Sequence, residues 1–267
     1  MSRSDKNWLI PLLLAAGAAG ALWYYWATVN RAEPEPVPAP AEPEAAAEQR
    51  RPGPLHPLEP LTSGIPSDHE LVPLPPLDDS DAYFRLELVN IYGSPLDTLL
   101  TDETLIEKFV ATIDNLPRGH VAERLRPIGR ISGVFSVDSD DDTVVISPIN
   151  YDRYGFLIDM LIHADLDTVF DVYRRYYPLF QEAYVGLGYP NGYFNDRVVE
   201  VIDHLLATPL QEGPVHLARP HVLYEFADPD LEALSSGQKL LLRMGNSNAE
   251  RVKTALGGLR ARVAVSN

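Results

Sequence analysis

The 267-residue chain contains no cysteine. Disulfides, thiolate nucleophiles and cysteine metal sites are therefore excluded, and either side of a membrane stays open to it. Positive charge is also scarce: 22 lysines and arginines face 38 acids, a formal net charge of −16. Nucleic-acid binding needs cations that neutralise phosphates, and no basic stripe with interleaved aromatics occurs, so no nucleic-acid partner is expected. The acidity also opposes adhesion to an anionic bilayer and serves solubility. Common catalytic signatures are missing as well. There is no HExxH pair, P-loop or GxSxG elbow. The "DSDDD" run resembles a calcium loop, but an EF-hand beginning at Asp138 needs Gly at its sixth position and Glu at its twelfth, where Thr143 and Ile149 stand. His216 and His221 flank a bend at Arg219–Pro220, yet zinc needs three or four converging ligands. No catalytic, cofactor-binding or metal residue is assigned, and an enzymatic role is not favoured.

What is present is unevenly distributed. Trp8 to Ala27, "WLIPLLLAAGAAGALWYYWA", carries no charge. Twenty residues of helix would span about 30 Å, the thickness of a bilayer core. Trp8 at one end and Trp23–Trp26 at the other match the interfacial preference of amphipathic rings. A cleaved signal peptide is the rival reading, but the apolar run is long and bulky rings stand where small cleavage residues belong. Arg3 and Lys6 precede the span, which predicts a cytoplasmic tail at 1–7, a transmembrane anchor at 8–29 and the remainder outside. In a Gram-negative cell that is the periplasm. Thirteen of the 24 prolines then fall between Arg31 and Leu77. Proline at this density forms neither helix nor central strand, so residues 30–77 read as a disordered, polyproline-like tether.

From Asp78 the apolar residues become periodic. The spacing predicts a mainly α-helical domain over 78–267 with one or two short β-hairpins. Asp81 is a candidate N-cap for a helix with Phe84, Leu88 and Ile91 inward, stopped by Gly93. Thr101 or Asp102 would start a second helix with Leu105, Ile106, Phe109, Val110 and Ile113 buried. Val134–Val137 and Thr143–Ile146 read as a hairpin. Next come a helix with Tyr154, Leu157, Ile158, Leu161 and Ile162 on one face, and another capped by Asp165. Pro178 is expected to kink or break the latter, and Gly186 or Gly188 to end it. A second short strand pair or an extended segment is expected between Pro209 and Asp228. Asp228 and Pro229 would open one helix through "PDLEALSSGQKLLLRMG", and Val252, Leu256, Leu259 and Val263 line a last one.

The most distinctive stretch is "GYPNGYFNDRVVEVIDHLL", Gly188 to Leu206. It reads as a glycine stop, a turn, an N-cap at Asn191 and an amphipathic helix. A cap needs only one polar residue. The excess, Tyr189, Asn191, Tyr193, Asn195, Asp196 and Arg197, is either a buried hydrogen-bond network or a binding surface, with the network favoured. The tyrosines from Tyr173 to Tyr193 could line a groove, but helically spaced aromatics are more often core.

The motifs "SPINYDRY", "RRYYPLFQEAYVGLGYPNGYFNDRVVEVIDHLLATP", "RPHVLYEFADPDLEALSSGQKLLLRMG" and "NAERVK" resemble the domain-of-unknown-function 3014 (DUF3014) family over roughly Asp78 to Val263. The resemblance implies the layout of anchor, tether and terminal helical domain in single-pass bacterial envelope proteins. It implies no activity. The expectation is an inner-membrane-anchored periplasmic interaction or scaffold module, held in the membrane through residues 8–29 and binding an envelope protein or cell-wall component. The alternative is a cell-wall binder or envelope enzyme using Tyr189–Arg197. A third class is an accessory subunit assembled through the transmembrane helix.

Overall fold

The computed structural model describes residues 53–61, 73–131, 133–140 and 143–264. The expected anchor and the first part of the tether lie outside these residues. Among the described residues no helix is long and apolar enough to cross a membrane. They are mainly helical, as expected, with two short antiparallel strand pairs.

Helix α1, Asp81–Tyr92, buries Phe84 and ends at Gly93. Gly93 has φ 89° and ψ 165°, a region open essentially to glycine alone. Asp81 does not cap its own helix. Its carboxylate accepts the amides of Thr104 (2.7 Å) and Leu105 (2.6 Å). It thereby caps α3, Leu105–Asn115, and holds Thr104 in the left-handed region at φ 52°. The expected caps Thr101 and Asp102 are displaced, because a carboxylate from a neighbouring helix reaches the orphan amides first. Between α1 and α3 lies the single turn α2, Ser94–Asp97.

The first strand pair is β1, Val137–Asp140, with β2, Thr143–Ile146, in the register Val137↔Ile146. The first strand thus starts three residues later than expected, and Val134 is left exposed. Two short strands follow later, β3, Leu217–Ala218, and β4, Glu225–Phe226. The Ile146 amide donates to the Val215 carbonyl at 3.0 Å and so stitches the two pairs together. Their apolar faces meet in a small cluster around Ile146, Val215, Leu217, Phe226, Leu231 and Leu242.

The helical layer is completed by α4, Ile149–Ile162, α5, Leu166–Gly186, and α6, Phe194–Leu206. Asp165 caps α5 as expected, accepting the Thr168 amide at 2.9 Å. The helix continues through the exposed Pro178 rather than breaking there. The expected helix after Asp228 is two: α7, Pro229–Glu232, capped by Asp228, and α8, Ser236–Arg243, which starts afresh with a capping box of Ser235 and Gln238. Ser235 satisfies an orphan amide of the new helix, and Gln238 returns the bond.

Helix α9, Asn246–Val263, packs on α4, α5 and α6. An arginine of α9 pairs with an aspartate of each: Arg251 with Asp159, Arg262 with Asp167 and Arg260 with Asp203. The arginine hydrogen bonds hold the Asp159 and Asp203 carboxyls below their ordinary pKa. The main core gathers Phe84, Ile106, Val110, Tyr176, Phe180, Phe194 and Val263 from α1, α3, α5, α6 and α9.

Gly245 precedes α9 with φ 80° and ψ 158°. A Cβ there would lie 2.8–2.9 Å from the Tyr151 ring. Gly245→Ala is expected to destabilise the protein by about 1–3 kcal/mol from backbone strain alone. At Gly257, inside α9, an added Cβ would meet nothing within 4 Å, so Gly257→Ala should stabilise by up to about 1 kcal/mol through helix propensity. Urea unfolding of the two variants checks the opposite signs.

Candidate functional site

The turn between α5 and α6 is built by local sterics before any polar chemistry enters. Gly188 takes φ 106° beyond the end of α5, as expected of a glycine stop. Tyr189 stacks on Tyr184, ring centroids 4.6 Å apart. Gly192 passes so close that an added Cβ would sit 2.9 Å from the Tyr184 ring. The chain thus enters α6 against α5. Asn191 is not the N-cap; Tyr193 holds that position and offers no side-chain bond. The work is done from α5 by Gln181, whose amide group donates to the Gly192 carbonyl and accepts from the Phe194 amide, both at 2.8 Å. One side chain across the turn satisfies both groups, so Asn191 is released to the surface.

Three consecutive residues of α6 then go three ways. Asn195 has no exposed surface. Its amide donates to the Val263 carbonyl and to the His56 carbonyl, each at 2.9 Å, and its oxygen accepts from the Tyr173 hydroxyl at 3.1 Å. Val263 ends α9, so its carbonyl is one of the orphan acceptors of a helix terminus. Asp196 accepts the amides of Leu55 (3.0 Å) and His56 (2.8 Å). Arg197 turns inward to Asp114 of α3, with Nε on Oδ1 at 2.9 Å and Nη2 on the carbonyl at 2.7 Å.

Asp114 is the charge at the centre of this cluster, with 3% of its surface exposed. Its second oxygen accepts from Arg118 at 2.7 Å and from the Tyr189 hydroxyl at 3.2 Å. Arg197 also meets Glu200 at 2.8 Å. Burial works against the Arg197 charge, but the Glu200 and Asp114 carboxylates outweigh it and raise its pKa. The phenols around the turn are held in their neutral form. Burial pushes Tyr173 well above its ordinary value, with Tyr177 and Asp196 adding to the effect. Tyr176 is pushed up to about 12 by burial, with Glu87 contributing. Both phenols are neutral at neutral pH and do not act as bases there; the Tyr173 hydroxyl is the donor to Asn195.

The six sequence candidates therefore separate. Tyr189 and Arg197 meet at Asp114. Asn195 and Asp196 meet at the Leu55–His56 backbone. Asn191 is exposed and joins neither group, and Tyr193 serves through its backbone. The tyrosines settle as core: Tyr176 and Tyr184 are buried, and Tyr173, Tyr177 and Tyr189 pack against the same cluster. Asp114 and Gln181 were missed. Asp114 carried a signal, since it lies four residues after Val110 on the apolar stripe of α3. Gln181 carried one too, between Tyr177 and Tyr184 on the inward face of α5.

Residues 53–61 were expected to belong to a solvated tether. They lie against the domain instead. Besides the bonds to Asn195 and Asp196, Arg174 of α5 donates to the Glu59 carbonyl at 3.1 Å, and the Leu61 amide donates to the Arg174 carbonyl at 3.3 Å. Among the described residues no group of three or more histidines, aspartates or glutamates is placed to hold a metal ion.

A family model described as a protein of unknown function (DUF3014) matches residues 105–260, more than half of the chain, and the chain belongs to that family. The match begins at the first residue of α3 and includes Asp114, Asn195 and Arg197, but not the docked segment at 53–61. No curated protein and no solved structure matches the chain.

Removing Arg197 leaves the Asp114 carboxylate buried with only the half-exposed Arg118 as counter-charge. Arg197→Ala is therefore expected to cost about 3 kcal/mol, whereas Tyr189→Phe, which removes a neutral hydroxyl that donates to Asp114 and accepts from Arg118, should cost about 1–2 kcal/mol. Urea unfolding midpoints at equal slope measure both. Equal losses would show that the ion pair is not the dominant tie between α3 and α6.

Proposed function

We propose that this DUF3014 member is an inner-membrane-anchored periplasmic protein whose helical domain serves as an interaction module of the cell envelope. One observation carries the reading. The polar side chains that made Tyr189–Arg197 a candidate site, Tyr189, Asn195, Asp196 and Arg197, are committed to the domain's own bonds. An enzyme using this region would need such groups turned towards a substrate. Here they fasten α3, α6, α9 and the chain that leads into the domain.

The docked residues 53–61 support the anchored layout in a second way. A domain carried on a tether is pulled where the tether enters it. Backbone groups of Leu55, His56, Glu59 and Leu61 are gripped by α5 and α6. Load is thereby passed to the two helices at the middle of the core. On the polyproline reading of the sequence, residues 30–52 would then span about 70 Å, at roughly 3.1 Å per residue.

Two measurements test the reading. A topology reporter fused at the C-terminus is expected to be active in the periplasm; recovery of the domain in the cytoplasm would sink the proposal. Asp196→Ala removes the acceptor of two amides, so hydrogen exchange at Leu55 and His56 should accelerate at least tenfold while the α6 core stays protected. Unchanged exchange at both amides would show that Asp196 does not hold the segment.

A further inference from the structure

The main core does not close completely. A cavity of about 180 Å³ lies within it, walled by side chains such as Leu88 of α1, Phe109 of α3, Leu161 of α4, Val169 and Val172 of α5, and Leu259 of α9. Among the described residues every lining side chain is apolar except those of Tyr92 and Tyr173, and the Tyr173 hydroxyl is taken by Asn195. A water molecule needs two to four polar partners, which this wall does not supply. An engineered protein cavity of about 150 Å³ with a comparable lining stays dry and takes up benzene. The space here is therefore suited to an apolar guest.

Two features narrow the guest. Leu161, 38% exposed, brings the wall to the surface at the end of α4. A guest can thus keep a polar end in solvent while its apolar part enters. The chain between Leu161 and Val169, two residues of the wall, carries Asp165 and Asp167. Hydrogen bonds from Thr168 hold the Asp165 carboxyl below its ordinary pKa, so it is charged at neutral pH. Arg262 already pairs with Asp167. An anionic head group would meet like charge there.

We propose that the cavity binds a single straight alkyl chain bearing an uncharged head group, such as a hydroxyl. At about 30 Å³ for a water-sized group, the space accommodates on the order of six carbons. The inference rests on the packing of the domain and is independent of the membrane anchor.

The test uses the full chain in phosphatidylcholine nanodiscs and a straight-chain alcohol carrying a terminal diazirine. After illumination, adducts are mapped by peptide mass spectrometry. Adducts are expected on the peptides containing Leu88, Phe109 and Val169. Leu161→Trp narrows the surface end of the cavity and should lower that labelling at least tenfold. Leu187→Trp, at an exposed position outside the wall, should leave it unchanged, and matched thermal midpoints of the two variants show that both are folded. Labelling of residues 8–27 reports bilayer insertion separately, so this inference and the proposed function fail independently. From butanol to hexanol, each added methylene should lower the competing concentration about fourfold, and hexanoate should compete at least tenfold more weakly than hexanol. Absence of adducts on the wall, equal labelling of the two tryptophan variants, competition by benzene but not hexanol, or equal competition by hexanoate would each overturn the proposal.

Discussion

Asn195 is the residue on which the arrangement of the domain turns. Its side chain has no exposed surface, and its three bonds reach three separate parts of the chain: Tyr173 on α5, the last carbonyl of α9, and the His56 carbonyl. Each bond answers a definite need. The α9 carbonyl would otherwise be a buried helix-end acceptor without a partner, and such a group costs about 1–3 kcal/mol. The Tyr173 hydroxyl is enclosed by core and needs an acceptor. The His56 carbonyl lies in a segment with no regular structure to supply its bonds. An apolar residue of the same size would fill the volume and leave all three unmet. Asparagine supplies two donors and an acceptor in one plane, a combination that aspartate at neutral pH cannot offer.

The residues on either side extend that junction. Phe194 is fully buried between Phe180 and Tyr184 and fixes how α6 lies on α5. Arg197 then reaches α3, and α3 receives its own cap from Asp81 on α1. The polar contacts thus form a chain through α1, α3, α6 and α9, running beside the apolar core. Burial of Asp114 is tolerable because two arginines and a phenol surround its carboxylate. The gain over an apolar isostere lies in where the helices are held, since a paired buried charge adds little net stability.

Local chemistry made much of the fold legible. Asp165 and Asp228 are caps because each precedes a run whose first amides lie within its own reach. Gly93 and Gly188 are stops because their backbone angles exclude other residues. The misread points share a cause: a distant side chain supplies what a local one seemed to supply. Asp81 looked like a cap for its own helix and caps α3. Gln181 replaces Asn191 at the start of α6. The break between α7 and α8 was hidden because Leu231, Leu234, Leu241 and Leu242 keep to one helical face across it, although the intervening run Ser235–Lys239 is polar and Ser235 and Gln238 stand at capping-box distance. Pro178 was expected to interrupt α5. The carbonyl that its missing N–H leaves free is that of Arg174, and the docked Leu61 amide donates to it at 3.3 Å.

The candidate site was half legible for the same reason. Excess polarity at Tyr189–Arg197 was visible, and so was the choice between a network and a binding surface. The partners were not, because Asp114 lies 83 residues from Arg197 and His56 lies 139 residues from Asn195. Proline density masked the docked segment most effectively. Proline signals the absence of helix and central strand, but it does not prevent an extended chain from offering amides and carbonyls to a neighbour. Leu55, His56, Glu59 and Leu61 do so between their prolines. A composition rule identifies what a segment cannot form by itself; whether it is solvated depends on acceptors such as Asp196 that lie elsewhere in the chain.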